Sequence, residues 1–272
     1  MAGRARLALT GPSSMLLLLS PAKTLDYESP LPPLPHTDPA FIARAERLVH
    51  VLRRKSARQV SALMDLSDKL AALNVGRYAA WTPEHTERNA RQAILAFNGD
   101  VYDGLEATTL SGKDLAWAQE HLCILSGLYG LLRPLDRIQP YRLEMGTGLV
   151  VGKARNLYQY WGGEISETLN ARLEGERTPV VVNLASQEYF RSVKLDSLRA
   201  RVVECVFEDW KAGQFKVISF FAKKARGRMA RFAIQHRVRT PAGLERFDLD
   251  GYVFSPAVSD PDRLVFRRTM QP

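Results

Sequence analysis

The stretch Leu122–Gly146, LCILSGLYGLLRPLDRIQPYRLEMG, decides how the rest of the 272-residue chain is read. It opens as a short apolar run, which predicts a buried element. Gly127 and Gly130 then bend the backbone, and Pro134 and Pro140 stop any long helix from passing through. This stiff, turning backbone carries Arg133, Asp136, Arg137, Tyr141, Arg142 and Glu144. Polar groups held on turns between buried elements are a common way to build a site. The plainer reading of the same residues is two turns bearing solvated charges.

Working outward, Met15–Ser20 reads as a first buried strand. Lys23 then sits just past its carboxyl end, where mixed α/β folds gather ligands. Ser29–Pro39 is a Pro-rich extended loop. Asp38-Pro39 is a helix start, with Phe41, Ala45, Leu48 and Leu52 on one face and Arg44, Arg47, Arg53, Arg54 and Lys55 on the others. Ser56 and Ser67 cap two further helices joined by the tight turn Leu66-Ser67-Asp68-Lys69. A helical hairpin of this kind over 61–81, with Lys69 and Arg77, has the geometry of a DNA-backbone clamp. The turn contains no glycine, and a plain core-packing hairpin is the alternative; the Gly127–Gly130 turn is a second candidate for facing phosphate.

Thr86–Ala96 reads as a helix, Phe97–Gly104 as turn-rich around Asn98-Gly99, and Ser111–His121 as a helix with a Ser111/Asp114 capping box. Ala154–Leu173 reads as a long helix weakened by Gly162-Gly163. The β-branched run Pro179–Asn183 predicts a buried strand, with Ser186 capping a short helix that holds Glu188 and Tyr189. Arg201–Phe207 and Phe215–Phe221 read as strands joined by a hairpin, Lys223–Val238 as a basic helix, and Asp250–Phe254 and Arg263–Arg267 as two closing strands.

A hydrophobic content of 46% supports a sizeable core. No linker or repeat divides the chain, so residues 15–272 are expected to form one domain. Residues 1–14 read as an extension or start-site artefact, with Met15 as an alternative start. The apolar run Met15–Leu19 is too short for a signal h-region or a membrane span, so a cytoplasmic protein is expected; it is also expected to be a monomer. Cys123 and Cys205 sit in apolar company, as inert buried thiols do. The five histidines are scattered, and no metal or cofactor site is expected.

The net charge of +9 favours polyanionic partners. Residues 211–240 hold nine Lys or Arg and no Asp or Glu, equal to the whole surplus. Lys224, Arg228 and Arg231 share one helical face, with Lys223 and Arg226 beside them. A run without compensating acids points to phosphate contacts, which bind without reading sequence. No recognition helix or zinc-finger pattern is present.

Several stretches together carry a resemblance: LSGLYGLLRPLDRIQPYRLEMG, LSPAKTLDY (19–27), ARQAILAFNGDVYDG (90–104), VNLASQEYFRS (182–192) and SFFAKKARGRMAR (219–231). In this order, over about residues 15–268, they resemble the YaaA family of bacterial peroxide-stress proteins. The resemblance implies protection against hydrogen peroxide and limitation of free iron. It also implies a single-domain mixed fold with a basic cleft, a helix-hairpin-helix element and DNA binding.

The expectation is therefore a mixed α/β (α+β) single domain that binds double-stranded or locally melted DNA. The DNA contacts are expected through Lys69, Arg77, Arg133, Arg142, Lys194, Lys223, Lys224, Arg226, Arg228 and Arg231. The alternative is an enzyme acting on a nucleotide-like or other anionic small molecule, with Lys23, Glu144, Tyr189 and Lys223 as candidate catalytic residues. No Walker loop, G-x-S-x-G or Rossmann fingerprint supports that alternative.

Overall fold

Strand β1 (Met15–Leu19) is the centre of the molecule, and every one of its side chains is buried. A computed structural model describes residues 15–31 and 33–269; the extension expected over 1–14 lies outside them. On one side β1 pairs in parallel with β2 (Leu122–Ser126), the apolar start of the Leu122–Gly146 stretch. The chain then turns through Gly127–Tyr129 into the antiparallel β3 (Gly130–Leu132). On the other side β1 pairs in parallel with β4 (Val180–Asn183), and β4 with β5 (Arg201–Lys211). The antiparallel β6 (Gln214–Lys216) returns along β5 through Ala212-Gly213, both at positive φ, as a two-residue hairpin turn of this twist requires. The edge strand β7 (Val253–Phe254) pairs with β8 (Arg263–Arg268), which lies parallel to β5. The sheet order is therefore β7-β8-β5-β4-β1-β2-β3, with β6 on β5, an eight-stranded mixed sheet in one α/β domain.

The helices follow the capping signals where those are local. Helix α1 (Ile42–Arg53) buries Ala45, Leu48, Val49 and Leu52. It starts at Phe41 rather than at Asp38-Pro39, and no side chain caps it. Helix α2 (Ala57–Met64) has the Ser56/Gln59 capping box, and α3 (Asp68–Ala80) is capped by Ser67. Two of the arginines on the other faces of α1 are bonded within the fold. Arg44 lies over the Tyr160 ring at 4.3 Å and pairs with Glu164, and Arg53 donates to the Tyr78 carbonyl at 2.7 Å. Helix α4 (Asp100–Leu105) follows Gly99, α5 (Gly112–His121) has the Ser111/Asp114 box, and α6 (Glu164–Arg172) follows a break. That break is Gly162 at φ +52, so the long helix read over 154–173 is two helices. The Thr86–Ala96 helix is also corrected. Thr86 and Asn89 close a local turn, Arg91–Gln92 pairs with Arg137–Ile138, and only Ala93–Ala96 is helical. Helix α7 (Ser219–Gln235) begins four residues before Lys223, inside the segment read as a strand.

Asp136, at the turn after β3, is 2% exposed. It accepts hydrogen bonds from the Arg133 amide at 2.7 Å and the Thr37 hydroxyl at 2.5 Å. Burial outweighs these bonds and raises its carboxyl from 3.8 to about 6. The folded chain thus holds this proton more tightly than the unfolded one. The group's stabilising contribution is fullest below 3.8 and is lost as pH rises toward 6. Asp136→Asn removes that titration. The stability of the wild type relative to the variant should fall by about 2 kcal/mol between pH 4.5 and 7.5, read from urea midpoints. Parallel profiles would mean that Asp136 is ionised throughout.

Candidate functional site

The sheet changes direction at β1. The chain leaves β1 for β2 on one side and later returns to β4 on the other, so the carboxyl ends of β1 and β4 flank a topological switch point, where open α/β sheets bind ligands. A recess of ≈ 480 Å³ lies there, a size suited to a metabolite. Its walls come from Ser20–Thr24 after β1, Leu184–Tyr189 after β4, Asn98–Val101 at the head of α4, and Lys223 and Arg226 on α7.

Local hydrogen bonds fix this floor. The Ser186 amide donates to the Ser20 hydroxyl at 2.9 Å, tying the two strand ends together, and Tyr102 donates to the Ser20 carbonyl at 3.1 Å. Asn183 turns back to accept from the Ala185 amide at 2.9 Å. Helix α7 is held against α4 by two glycines. A Cβ on Gly104 would overlap the Lys224 carbonyl, and one on Gly227 would overlap the Val101 carbonyl. Only this backbone-to-backbone approach brings Lys223 and Arg226 over the strand ends.

The four residues named as candidate catalytic groups meet here. Lys23 pairs with Glu144 at 2.8 Å, and Glu144 also holds Arg142 at 3.1 Å. Lys223 faces Asp100 at 3.5 Å. Tyr189 lines the recess, and burial holds its phenol well above the usual value. Asp100 was missed in the sequence; the Asn98-Gly99 turn before it was the available signal. Arg226 differs from its neighbours. Burial draws its guanidinium below the ordinary arginine value, with Glu204 opposing from a distance. Among the described residues it makes no hydrogen bond and no ion pair.

Several of the residues assigned to DNA already have partners within the fold. Arg228 pairs with Glu106 at 3.0 Å and with Asp250 at 3.4 Å, and Arg231 donates to the Leu105 carbonyl and the Thr109 hydroxyl. The segment's missing acids are therefore supplied by other elements, and these two arginines pin α7 down. Arg133 is held by Glu120 at 2.7 Å. Arg77 is half-buried beside Arg142, whose charge adds to burial in lowering it. Lys69 and Lys194 are exposed, and Lys224 is half-buried. The Gly127–Gly130 turn lies wholly in the core, so it faces no phosphate. In the α2–α3 hairpin the Ser67 hydroxyl already takes the Leu70 amide.

A second surface has stronger features. Trp210 and Phe220 are 44% and 58% exposed, at the tip of β5 and the first turn of α7. Phe215 packs edge-on against Trp210 at 4.9 Å and lies under Arg267 at 4.4 Å. Lys211 and Lys216 fall between these rings along the chain, and Lys223 follows the last of them. Among the described residues Lys211 and Lys216 have no ion pair.

A family model described as Peroxide stress protein YaaA matches residues 15–258. The chain belongs to the YaaA peroxide-stress family. A UPF0246 protein of Paracidovorax citrulli is 64% identical over 255 residues, covering 93% of this chain and 98% of that protein. Another, from Bordetella pertussis, is 60% identical over 254 residues, covering 93% and 99%. Family membership assigns the chain a role in peroxide stress. Cys123 and Cys205 are not fitted to sense peroxide directly, because both are buried and burial raises both thiols. Among the described residues no group of three or more His, Cys, Asp or Glu is placed to hold a metal ion. No described helix is long and apolar enough to cross a membrane.

Proposed function

We propose that this YaaA-family protein acts in peroxide stress by binding DNA, without reading its sequence, on the rim formed by the β5–β6 hairpin and the start of α7. The observation that carries this reading is the alternation of aromatic rings with lysines along Trp210, Lys211, Phe215, Lys216, Phe220 and Lys223, with Trp210 and Phe220 exposed and Phe215 half-buried. Exposed rings offer stacking faces to unpaired bases, and the cations between them follow the phosphates. Duplex DNA hides its base faces, so the rim favours locally melted strands. The net charge of +9 adds a nonspecific attraction. Lys69 and Lys194 contribute exposed charge elsewhere on the surface.

Fluorescence anisotropy with duplex, bubble and single-stranded oligonucleotides across a salt series tests this. Binding should weaken steeply with salt and favour the bubble and the single strand. Trp210→Ala and Phe220→Ala should each cost about 1–3 kcal/mol on melted DNA and much less on duplex. Lys216→Glu should reduce the salt slope on every substrate. An absence of binding at low salt, or equal losses on duplex and melted DNA, would remove the reading.

A further inference from the structure

The recess at the β1/β4 switch point has a different character from the rim. It is concave, it is built from four separate elements, and its charges converge instead of spreading. Two of its three cations already have partners: Lys23 has Glu144 and Lys223 has Asp100. The third, Arg226, has none among the described residues, although it is half-buried on a helix locked against α4. A guanidinium taken partly out of water without acceptors loses hydration that nothing in the protein replaces. Its planar fork of donors matches two oxygens of one carboxylate or phosphate.

We propose that this recess binds a small molecule bearing an oxyanion group, carboxylate or phosphate, whose oxygens are taken by the Arg226 fork. The rest of the ligand lies against Pro21, Ala22, Val101 and Leu184, the apolar part of the wall. Tyr189 supplies a hydroxyl at the same wall. The Lys23–Glu144 and Lys223–Asp100 pairs stand at the mouth with side chains 63% and 50% exposed on the lysines, able to exchange partners as a charged ligand enters. The recess shares only Lys223 with the DNA rim, and Arg226 is not part of that rim, so either assignment can fail without the other.

Isothermal titration of the full chain with sodium phosphate, AMP and succinate at constant ionic strength is the test. Saturable binding of at least one probe is expected, weakened about tenfold or more by Arg226→Ala and less by Arg226→Lys, which keeps the charge and loses the fork. Binding of phosphate and AMP alone identifies a phosphate site, and binding of succinate alone a carboxylate site. Hydrogen exchange on the wild type needs no variant: the bound probe should slow exchange in segments 20–24 and 184–189. No saturable binding and no protection with any probe at millimolar concentration overturns the proposal. Binding that both Arg226 variants leave unchanged overturns it equally.

Discussion

Gly227→Ala is expected to destabilise the fold by about 3 kcal/mol, although alanine is the better helix former by about 1 kcal/mol at an interior helical position. The sign is decided by what the added methyl meets. Gly227 faces the backbone of α4, where a Cβ would overlap the Val101 carbonyl oxygen and lie 2.8 Å from the Leu105 nitrogen. Neither atom belongs to a side chain that can swing aside, so relief requires the two helices to part. Gly104 makes the reciprocal approach to Lys224 and Arg228, and Gly104→Ala should act in the same direction. The double variant should cost less than the sum, because separation forced by one methyl makes room for the other. Gly76, inside α3, meets nothing within 4 Å, so Gly76→Ala should instead stabilise by up to about 1 kcal/mol. Urea denaturation of the four variants gives the comparison, and a Gly227→Ala protein as stable as wild type would rule out the close crossing. Parting the helices also draws Lys223 from Asp100 and Arg226 from the recess, so ligand binding there should weaken with stability.

These glycines show where reading from sequence stops. In a sequence, a glycine inside a helix registers as a weak point; its use appears only when the partner helix is in place. Features written in local chemistry were legible. The apolar runs at 15–19 and 180–182 lie in strands, and the Ser56 and Ser111 caps start the helices that follow them. Of the polar groups that follow strands or turns, Lys23, Tyr189 and Lys223 line one recess and Glu144 pairs with Lys23. Where tertiary pairing competes with a local pattern, the pattern lost. Arg91–Gln92 pairs with Arg137–Ile138 in a segment read as helix, and helix α7 starts inside the segment read as the strand after the hairpin. The charge count over 211–240 likewise looked along the chain and not across it. Counting along the chain finds no acids, whereas in space Glu106 and Asp250 neutralise Arg228. That left Arg226 hidden among eight other cations, and its lack of a partner could not be read before the others had found theirs.

Asp209→Ala should cost about 3–5 kcal/mol, the range for breaking a buried ion pair from one side. Asp209 is fully buried on β5 and accepts from Arg268 Nε at 2.7 Å and from the Tyr252 hydroxyl at 2.8 Å. Arg268, its register partner on β8, lies over the Tyr252 ring at 4.4 Å and the Phe221 ring at 4.8 Å, and its Nη2 has no hydrogen bond. With the carboxylate gone, the guanidinium keeps its charge between two rings and a strand, and the Tyr252 hydroxyl loses its acceptor. Asp209→Asn retains an acceptor but not the charge, so its loss should be smaller. The double variant Asp209→Ala/Arg268→Met separates the causes. If the cost comes from the stranded charge, removing that charge restores most of the stability, and the double variant is more stable than Asp209→Ala alone. If the cost comes from lost packing, the second substitution adds to the first. Urea midpoints of the three proteins decide between them. The first outcome would show that the β5–β8 pairing, and with it the strand that carries Trp210, depends on neutralising Arg268.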